Sequence, residues 1–291
     1  MPHYPEFKEL EFKDKQILLK HLLLYKRNIC ELNLANLFIW KDFDRPRLTV
    51  INENLCIEIN PINEAPFFLE PLDRKNLKET IDTCLNHLGR ISRLSEDFIE
   101  NIKNDKYGFN EIRNHFDYVY LTKDLIELKG KRFDGKRNRI KKFQKNFPGY
   151  VFSPLGPKHK NEAIALFENW FKSSSKPDSF YSNYNIKAID LAFSNFEMLG
   201  LTGGTIYYKD KMMGFILGSK LNEETISIHF HFGEREAEGV SQTLLFESCK
   251  NIFSNFKFIN LEQDLGIPGL RKSKLSYHPI KLGKKFEIRV R

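Results

Sequence analysis

Thr225-Ile226-Ser227-Ile228-His229-Phe230-His231-Phe232-Gly233 decides the reading of this chain. Thr225, Ser227, His229 and His231 alternate with Ile226, Ile228, Phe230 and Phe232, the period-two pattern of a strand with one polar and one apolar face. On that alternation the two histidines share a face. The strand stops at Gly233, and Glu234-Arg235-Glu236-Ala237-Glu238-Gly239 follows as a polar loop. Beyond it Val240, Leu244, Leu245, Cys249, Ile252 and Phe253 mark one face of an amphipathic helix. A strand, a glycine-bearing loop and a helix in this order can hold a phosphate. Gly239 leaves no side chain in the way, Ser241 offers a hydroxyl, and the first helical amides, Gln242 among them, point outward with the positive end of the dipole. The same letters also read as an ordinary helix cap.

The chain has 291 residues, enough for two domains with buried cores. A formal charge of +8 and a pI near 9.1 admit an anionic partner, whether a coenzyme A phosphate, tRNA or an anionic lipid surface. No apolar run approaches the length of a membrane span; Ile17 to Tyr25 is too short and flanked by lysine. Met1-Pro2-His3-Tyr4-Pro5 lacks the basic and apolar regions of a secretory signal, which points to a cytoplasmic protein. Cys30, Cys56, Cys84 and Cys249 form no CxxC pair and each lies in an apolar setting, so reduced core thiols and no metal site are expected.

Element by element the two halves repeat. The first reads as helices Asp14 to Tyr25 and Leu32 to Trp40, then strands Arg47 to Ile51, Leu55 to Ile59 and Pro66 to Leu69. Helix Arg74 to Leu88, the run Ile91 to Leu94, helix Ser95 to Asn104 and strand Phe116 to Leu121 complete it. The second reads as helices His159 to Lys172 and Asn185 to Leu199, then strands Gly203 to Tyr208, Met212 to Leu217 and Thr225 to Phe232. Helix Val240 to Ser254, strand Phe258 to Glu262, helix Pro268 to Ser276 and strand Phe286 to Val290 close it. Two copies of one α/β domain, 1–128 and 149–291, with a basic linking helix at 129–148, account for that recurrence. Pro71 to Asn76, the corresponding loop of the first copy, has no glycine, so the ligand site is assigned to the second copy.

The order resembles the GNAT acyltransferase fold, whose fourth and fifth strands splay apart to admit the pantetheine arm of acyl-CoA. Glu236-x-x-Gly239-Val240-Ser241 stands where that family carries Gln/Arg-x-x-Gly-x-Gly/Ala, with glutamate in place of the usual first residue. Three further stretches resemble the family related to the C-terminal domain of phosphatidylglycerol lysyltransferase. They are Glu31 to Trp40, Asp124 to Phe133 with Lys136-Arg137-Asn138, and Asn260 to Arg271. The resemblance implies an α+β chain of two tandem GNAT-like domains, each a mixed, mostly antiparallel sheet flanked by helices. It also implies an acyl or aminoacyl transferase ancestry, and a backbone contact of pantetheine with the strand holding Ile228 and Phe230.

Three groups of residues are candidates for chemistry. Lys129 to Lys145 holds nine lysines and arginines against Asp134 alone, on a helix from Gly135 docked by Ile140, Phe143 and Phe147. Lys131, Arg132, Lys136 and Arg137 there suit phosphate or tRNA contacts, and a solvated linking helix reads equally well. Glu262 emerges at a strand's C-terminal end, where open sheets bind ligands. It and His229 or His231 are the candidate bases, since histidine titrates near neutral pH. Arg271 follows as an anion contact, and the GNAT resemblance nominates Tyr277 to protonate the departing thiolate.

The expected function is transfer of an acyl group from coenzyme A to an amine. Arg235, Gly239, Val240, Ser241 and Gln242 would receive the diphosphate. No Ser-His-Asp or Cys-His grouping is evident in the sequence. The alternatives are an aminoacyl-tRNA-dependent transferase acting on a lipid or peptide, and a coenzyme A-binding protein without turnover.

Overall fold

The computed structural model describes residues 1–102, 107–172 and 179–289. Its first half carries β1 (Lys8–Glu9), α1 (Lys15–Leu22), α2 (Leu34–Ile39), α3 (Lys41–Asp44), β2 (Arg47–Ile51), β3 (Asn54–Ile59) and β4 (Phe67–Phe68). α4 (Leu77–Leu88), β5 (Arg90–Ser95), α5 (Glu96–Ile102), β6 (Phe109–Glu111), β7 (Asp117–Leu121) and α6 (Thr122–Glu127) follow. The second half has α7 (Asp134–Asn146), β8 (Val151–Pro154), α8 (Lys160–Lys172), α9 (Ser179–Ser194), β9 (Leu201–Tyr208), β10 (Lys211–Asn222) and β11 (Thr225–Gly233). α10 (Val240–Asn251), β12 (Phe258–Asn260), α11 (Pro268–Leu275), β13 (Lys281–Gly283) and β14 (Lys285–Arg289) end it.

Contacts group the chain into two compact units. One is Met1–Asp117 with Gln263–Arg271 and Leu282–Arg291; the other is Tyr118–Glu262 with Lys272–Lys281. Cuts at 128 and 148 cross this division, because each half lends its last strand.

In the first unit the strand order is β1-β2-β3-β4-β5-β14-β6. The C-terminal strand, expected to close the second domain, lies here instead. It is antiparallel to β5 (Lys285 opposite Ser95, Ile288 opposite Ile91) and to β6 (Phe286 opposite Glu111). Left without it, β5 and β6 would present bare edges. Ile288 thereby joins Ile91, Leu94, Phe98, Phe68 and Ile81 in the apolar core of this unit.

In the second sheet the order runs β13-β7-β12-β11-β10-β9-β8. β7, expected to end the first domain, is antiparallel to β12, with Leu121 opposite Phe258 and Val119 opposite Asn260. Phe215 of β10 meets Phe193 of α9 at 6.1 Å and Phe232 of β11 at 5.8 Å, and Phe167 of α8 lies 5.0 Å from Phe232. Its neighbour Gly214 faces the other way, toward Leu244 of α10. Alternation along one strand therefore puts α8 and α9 on one side and α10 on the other.

β11 and β12 are parallel neighbours only over Thr225–Ser227 and Phe258–Asn260. The expected strand to Glu262 stops two residues short, because Glu262 adopts φ 58°, outside the extended region. The strand pair thus ends at Ser227 and Asn260, and the candidate site lies just past that end.

Candidate active site

His229 marks an irregularity in the ladder. Gly218 lies opposite Ile228 and Leu217 opposite Phe230, which leaves His229 as the extra residue of a bulge. Simple alternation does not pass through a bulge, so His229 and His231 do not belong to one continuous face. Their partners differ accordingly. Ile228 and Phe230, expected beside pantetheine, have side chains 4% and 2% exposed.

His229 Nδ1 is 2.9 Å from Glu262 Oε1, and Nε2 is 2.8 Å from Ser219 Oγ of β10. Two strands and the turn after β12 thus supply one hydrogen-bonded chain of Ser219, His229 and Glu262. The Glu262 main chain is fixed as well: its amide donates to Asn260 Oδ1 (2.7 Å), and its carbonyl accepts from the Tyr118 amide (3.2 Å). Of the three side chains the carboxylate is the open end, 16% exposed against 0% for the imidazole. Ser219 is the member that the sequence reading did not find. It lies ten residues from His229 with no motif joining them.

His231 Nε2 instead donates to the Ser241 carbonyl at 3.0 Å, in the first turn of α10. Burial pushes its pKa down to about 4, with Lys274 and Lys136 acting in the same direction against the carbonyl bond. It is a neutral strut between strand and helix near neutral pH, a poor match for a base that must gain a proton.

The start of α10 is not the bare corner expected. Gly239 has φ +93°, and a Cβ there would overlap the Arg139 carbonyl oxygen of α7 and come within 2.9 Å of Phe143 Cβ. Glycine is required at this position because a neighbouring helix occupies the space where a side chain would go. Val240 is 2% exposed and its amide is already bonded to the Ala237 carbonyl at 3.0 Å. Ser241 and Gln242 are partly exposed. The loop acids find cations within the unit: Glu234 pairs with Lys211 at 2.8 Å and Glu238 with Lys142. Arg235 stacks on Trp170, 4.3 Å from the ring centre.

Tyr277 is 6% exposed, and its hydroxyl faces the Gln242 amide without a well-formed hydrogen bond among the described residues. Burial raises its pKa well above the usual tyrosine value. A tyrosine so shifted is a weak proton donor. Lys136 lies across its ring, Nζ 3.5 Å from the centre and 2.6 Å from Ser276 Oγ. Burial lowers the Lys136 pKa to about 8.

α7 carries the cationic surface. Arg132 pairs with Asp124 at 3.0 Å, and Arg137 with Asp134 and the Leu128 and Gly130 carbonyls. Lys131, Arg139, Lys141 and Lys145 are exposed and make no ion pair among the described residues. Arg271, grouped with them on sequence, belongs to the first unit. It is held there by Asp264 (2.8 and 2.9 Å) and Asn114 (2.8 Å), so its donors serve the turn rather than an outside anion.

The first unit holds a cluster that the sequence did not reveal. Lys285 of β14 is 0% exposed, with Nζ 2.7 Å from Asp117 Oδ1, 2.5 Å from Glu31 Oε2 and 3.4 Å from Cys30 Sγ. Burial alone would lower its pKa; Asp117, Cys30 and Glu31 outweigh that and hold it above the ordinary lysine range. Cys30, Glu31 and Asp117 are spaced as metal ligands, and the lysine ammonium stands among them. Burial also raises the Asp44 carboxyl to about 7 in this unit.

A parallel strand pair that parts after three residues, set in one of two helix-flanked mixed sheets, is the tandem GNAT-like fold. Within that class the chain belongs to the family of the phosphatidylglycerol lysyltransferase C-terminal domain, whose model matches residues 23–289. Its fold is similar to a conserved protein of unknown function from Bacteroides thetaiotaomicron, at 28% identity and a TM-score of 0.88 over 98% of this chain and 99% of that one. L-PGS from Bacillus licheniformis gives a TM-score of 0.62 at 17% identity, over 94% and 91% of the two chains. A curated relative, an uncharacterized protein of Mycoplasmoides gallisepticum, is 25% identical over 174 residues, 60% of this chain. The chain spans 56% of that relative's length. Among the described residues no helix is long and apolar enough to cross a membrane.

Proposed function

We propose that the second unit transfers an aminoacyl group from a tRNA-borne ester, rather than an acyl group from coenzyme A, to an amine or hydroxyl of a lipid or peptide acceptor. The observation that carries this choice is the Arg139 carbonyl at the start of α10. A backbone oxygen at the positive end of a helix meets a diphosphate with repulsion where it needs donors. The helix responsible turns Arg139, Lys141 and Lys145 to solvent, and Lys131 is exposed just before it, which suits a polynucleotide backbone. Membership of a lysyltransferase family supports the same reading.

Glu262 is the base in this scheme. As the acceptor attacks the ester carbonyl, its proton passes to the Glu262 carboxylate, which returns it to the departing tRNA 3′-oxygen as the ester C–O bond breaks, so the tRNA leaves with a free 3′-hydroxyl and the carboxylate is restored. Direct attack needs no protein nucleophile, and most of the acceleration comes from holding acceptor and ester together.

Filter binding with aminoacyl-tRNA, beside calorimetry with acetyl-CoA, tests the donor. Binding of tRNA should fall linearly in log K against log salt, and the K141A/K145A double variant should reduce that slope by about 2. Heat from acetyl-CoA that is insensitive to salt, with no retention of tRNA, would reverse the assignment.

A further inference from the structure

Leu23 and Leu24 stand side by side just past the end of α1, 69% and 54% exposed. Single exposed leucines are ordinary on a surface; two in sequence, followed by Tyr25, make a continuous apolar tip. The backbone holds that tip out. The Leu23 amide donates to the Leu19 carbonyl at 3.0 Å and the Leu24 amide to the His21 carbonyl at 3.3 Å. Buried Arg27 donates to the carbonyls of His21 (3.3 Å) and Leu22 (3.4 Å), the last two of the helix, and ties them to the Leu72 carbonyl at 2.6 Å. These polar groups are satisfied from within the fold, as a segment entering an apolar phase requires.

The surroundings are cationic. Residues 15–30 carry Lys15, Lys20, Lys26 and Arg27 and no acid, and Lys20 and Lys26 are exposed on either side of the leucines. Arg74 lies over the Tyr25 ring, 4.3 Å from its centre. Asp73, which precedes Arg74, is buried and bonded to His21 Nδ1 at 2.8 Å and to the Leu55 amide at 2.9 Å.

We infer that this tip docks on an anionic lipid surface. Leu23 and Leu24 enter the interface with Tyr25 beside them, while Lys20, Lys26 and Arg74 meet the lipid phosphates. A second copy of the chain would bring like charges together around the leucines, and an RNA backbone would meet the cations but leave the leucines in water. The inference concerns the first unit and stands apart from the donor assigned to the second.

Co-sedimentation of the full chain with vesicles tests it, using phosphatidylcholine alone or mixed with phosphatidylglycerol or with phosphatidylserine. Both anionic mixtures should hold the protein at least about tenfold more tightly than phosphatidylcholine at low salt. L23S/L24S should weaken binding by about tenfold or more, and K20A/K26A by about fivefold per cation, each with the thermal midpoint unchanged. In Leu24→Trp, emission beyond that of Trp40 and Trp170 should shift to the blue on anionic vesicles and be quenched by brominated lipid. Equal retention on neutral and anionic vesicles, binding to phosphatidylglycerol but not to phosphatidylserine, full retention of L23S/L24S, or an unresponsive Leu24→Trp overturns the inference. So does a dimer that L23S/L24S abolishes in a protein that no vesicle retains, or a loss of tRNA retention in K20A/K26A, which would give the patch to a second copy or to RNA.

Discussion

His229 Nδ1 and Glu262 Oε1 lie 2.9 Å apart just past the last paired residues of β11 and β12. The main-chain ladder ends at Ser227 and Asn260, and a side-chain bond takes over where it stops. Glu262→Gln keeps the oxygen that accepts from the imidazole but cannot take up a proton. It should lower kcat by about 10²–10⁴ with KM and thermal midpoint near their original values. A variant that binds donor normally and retains full turnover would remove Glu262 from the chemistry.

Lys285→Met should destabilise the first unit by about 3–5 kcal/mol, because Asp117 and Glu31 are left buried without their cation. Neutralising those acids in the same protein, as K285M/D117N/E31Q, should recover most of the loss. Denaturant midpoints of the single and triple variants decide it. An unchanged midpoint for Lys285→Met would mean that the cluster contributes nothing to holding β14.

Gly239→Ala forces a side chain into a φ of +93° and against the Arg139 carbonyl. Repacking α7 around it should cost roughly 1–3 kcal/mol, read as a lower thermal midpoint. A glycine kept open for a diphosphate would behave oppositely, with stability intact and coenzyme binding lost.

His231 makes stability depend on pH. Its pKa is near 4 in the folded chain against an ordinary 6.5, so the unfolded chain binds the extra proton first as pH falls. Its contribution is fully present above pH 6.5 and declines toward pH 4, by up to about 3 kcal/mol. His231→Gln should flatten the urea midpoint between pH 7 and pH 4.5. A slope unaltered by the substitution would assign the acid sensitivity to other groups.

Much of the second unit was legible because its signals are local. The alternation from Thr225 to Phe232, the glycine loop and the apolar stripe of the following helix correspond to β11 and α10 with small changes at the ends. Three features were not. A bulge at His229 leaves no mark in a run whose alternation is unbroken. Gly239 looked vacant because sequence shows a missing side chain but not the helix that fills the gap. Lys285 carries no local signal, since its partners lie 168 and 254 residues away.

The amino-acid order by itself determined the kinds of element, the doubled α/β pattern, the cationic segment at 129–145 and the family. Each of these depends on spacing within a few turns or on letters that can be compared directly. Only the tertiary structure decided that β7 and β14 change sheets, that α7 closes the start of α10, and that Ser219, His229 and Glu262 form one chain. The physical reason is that strand partners, steric occupancy and hydrogen-bond geometry are set by which surfaces meet when the core closes. Residues far apart in the chain are brought within bonding distance by burial that no short window of sequence records.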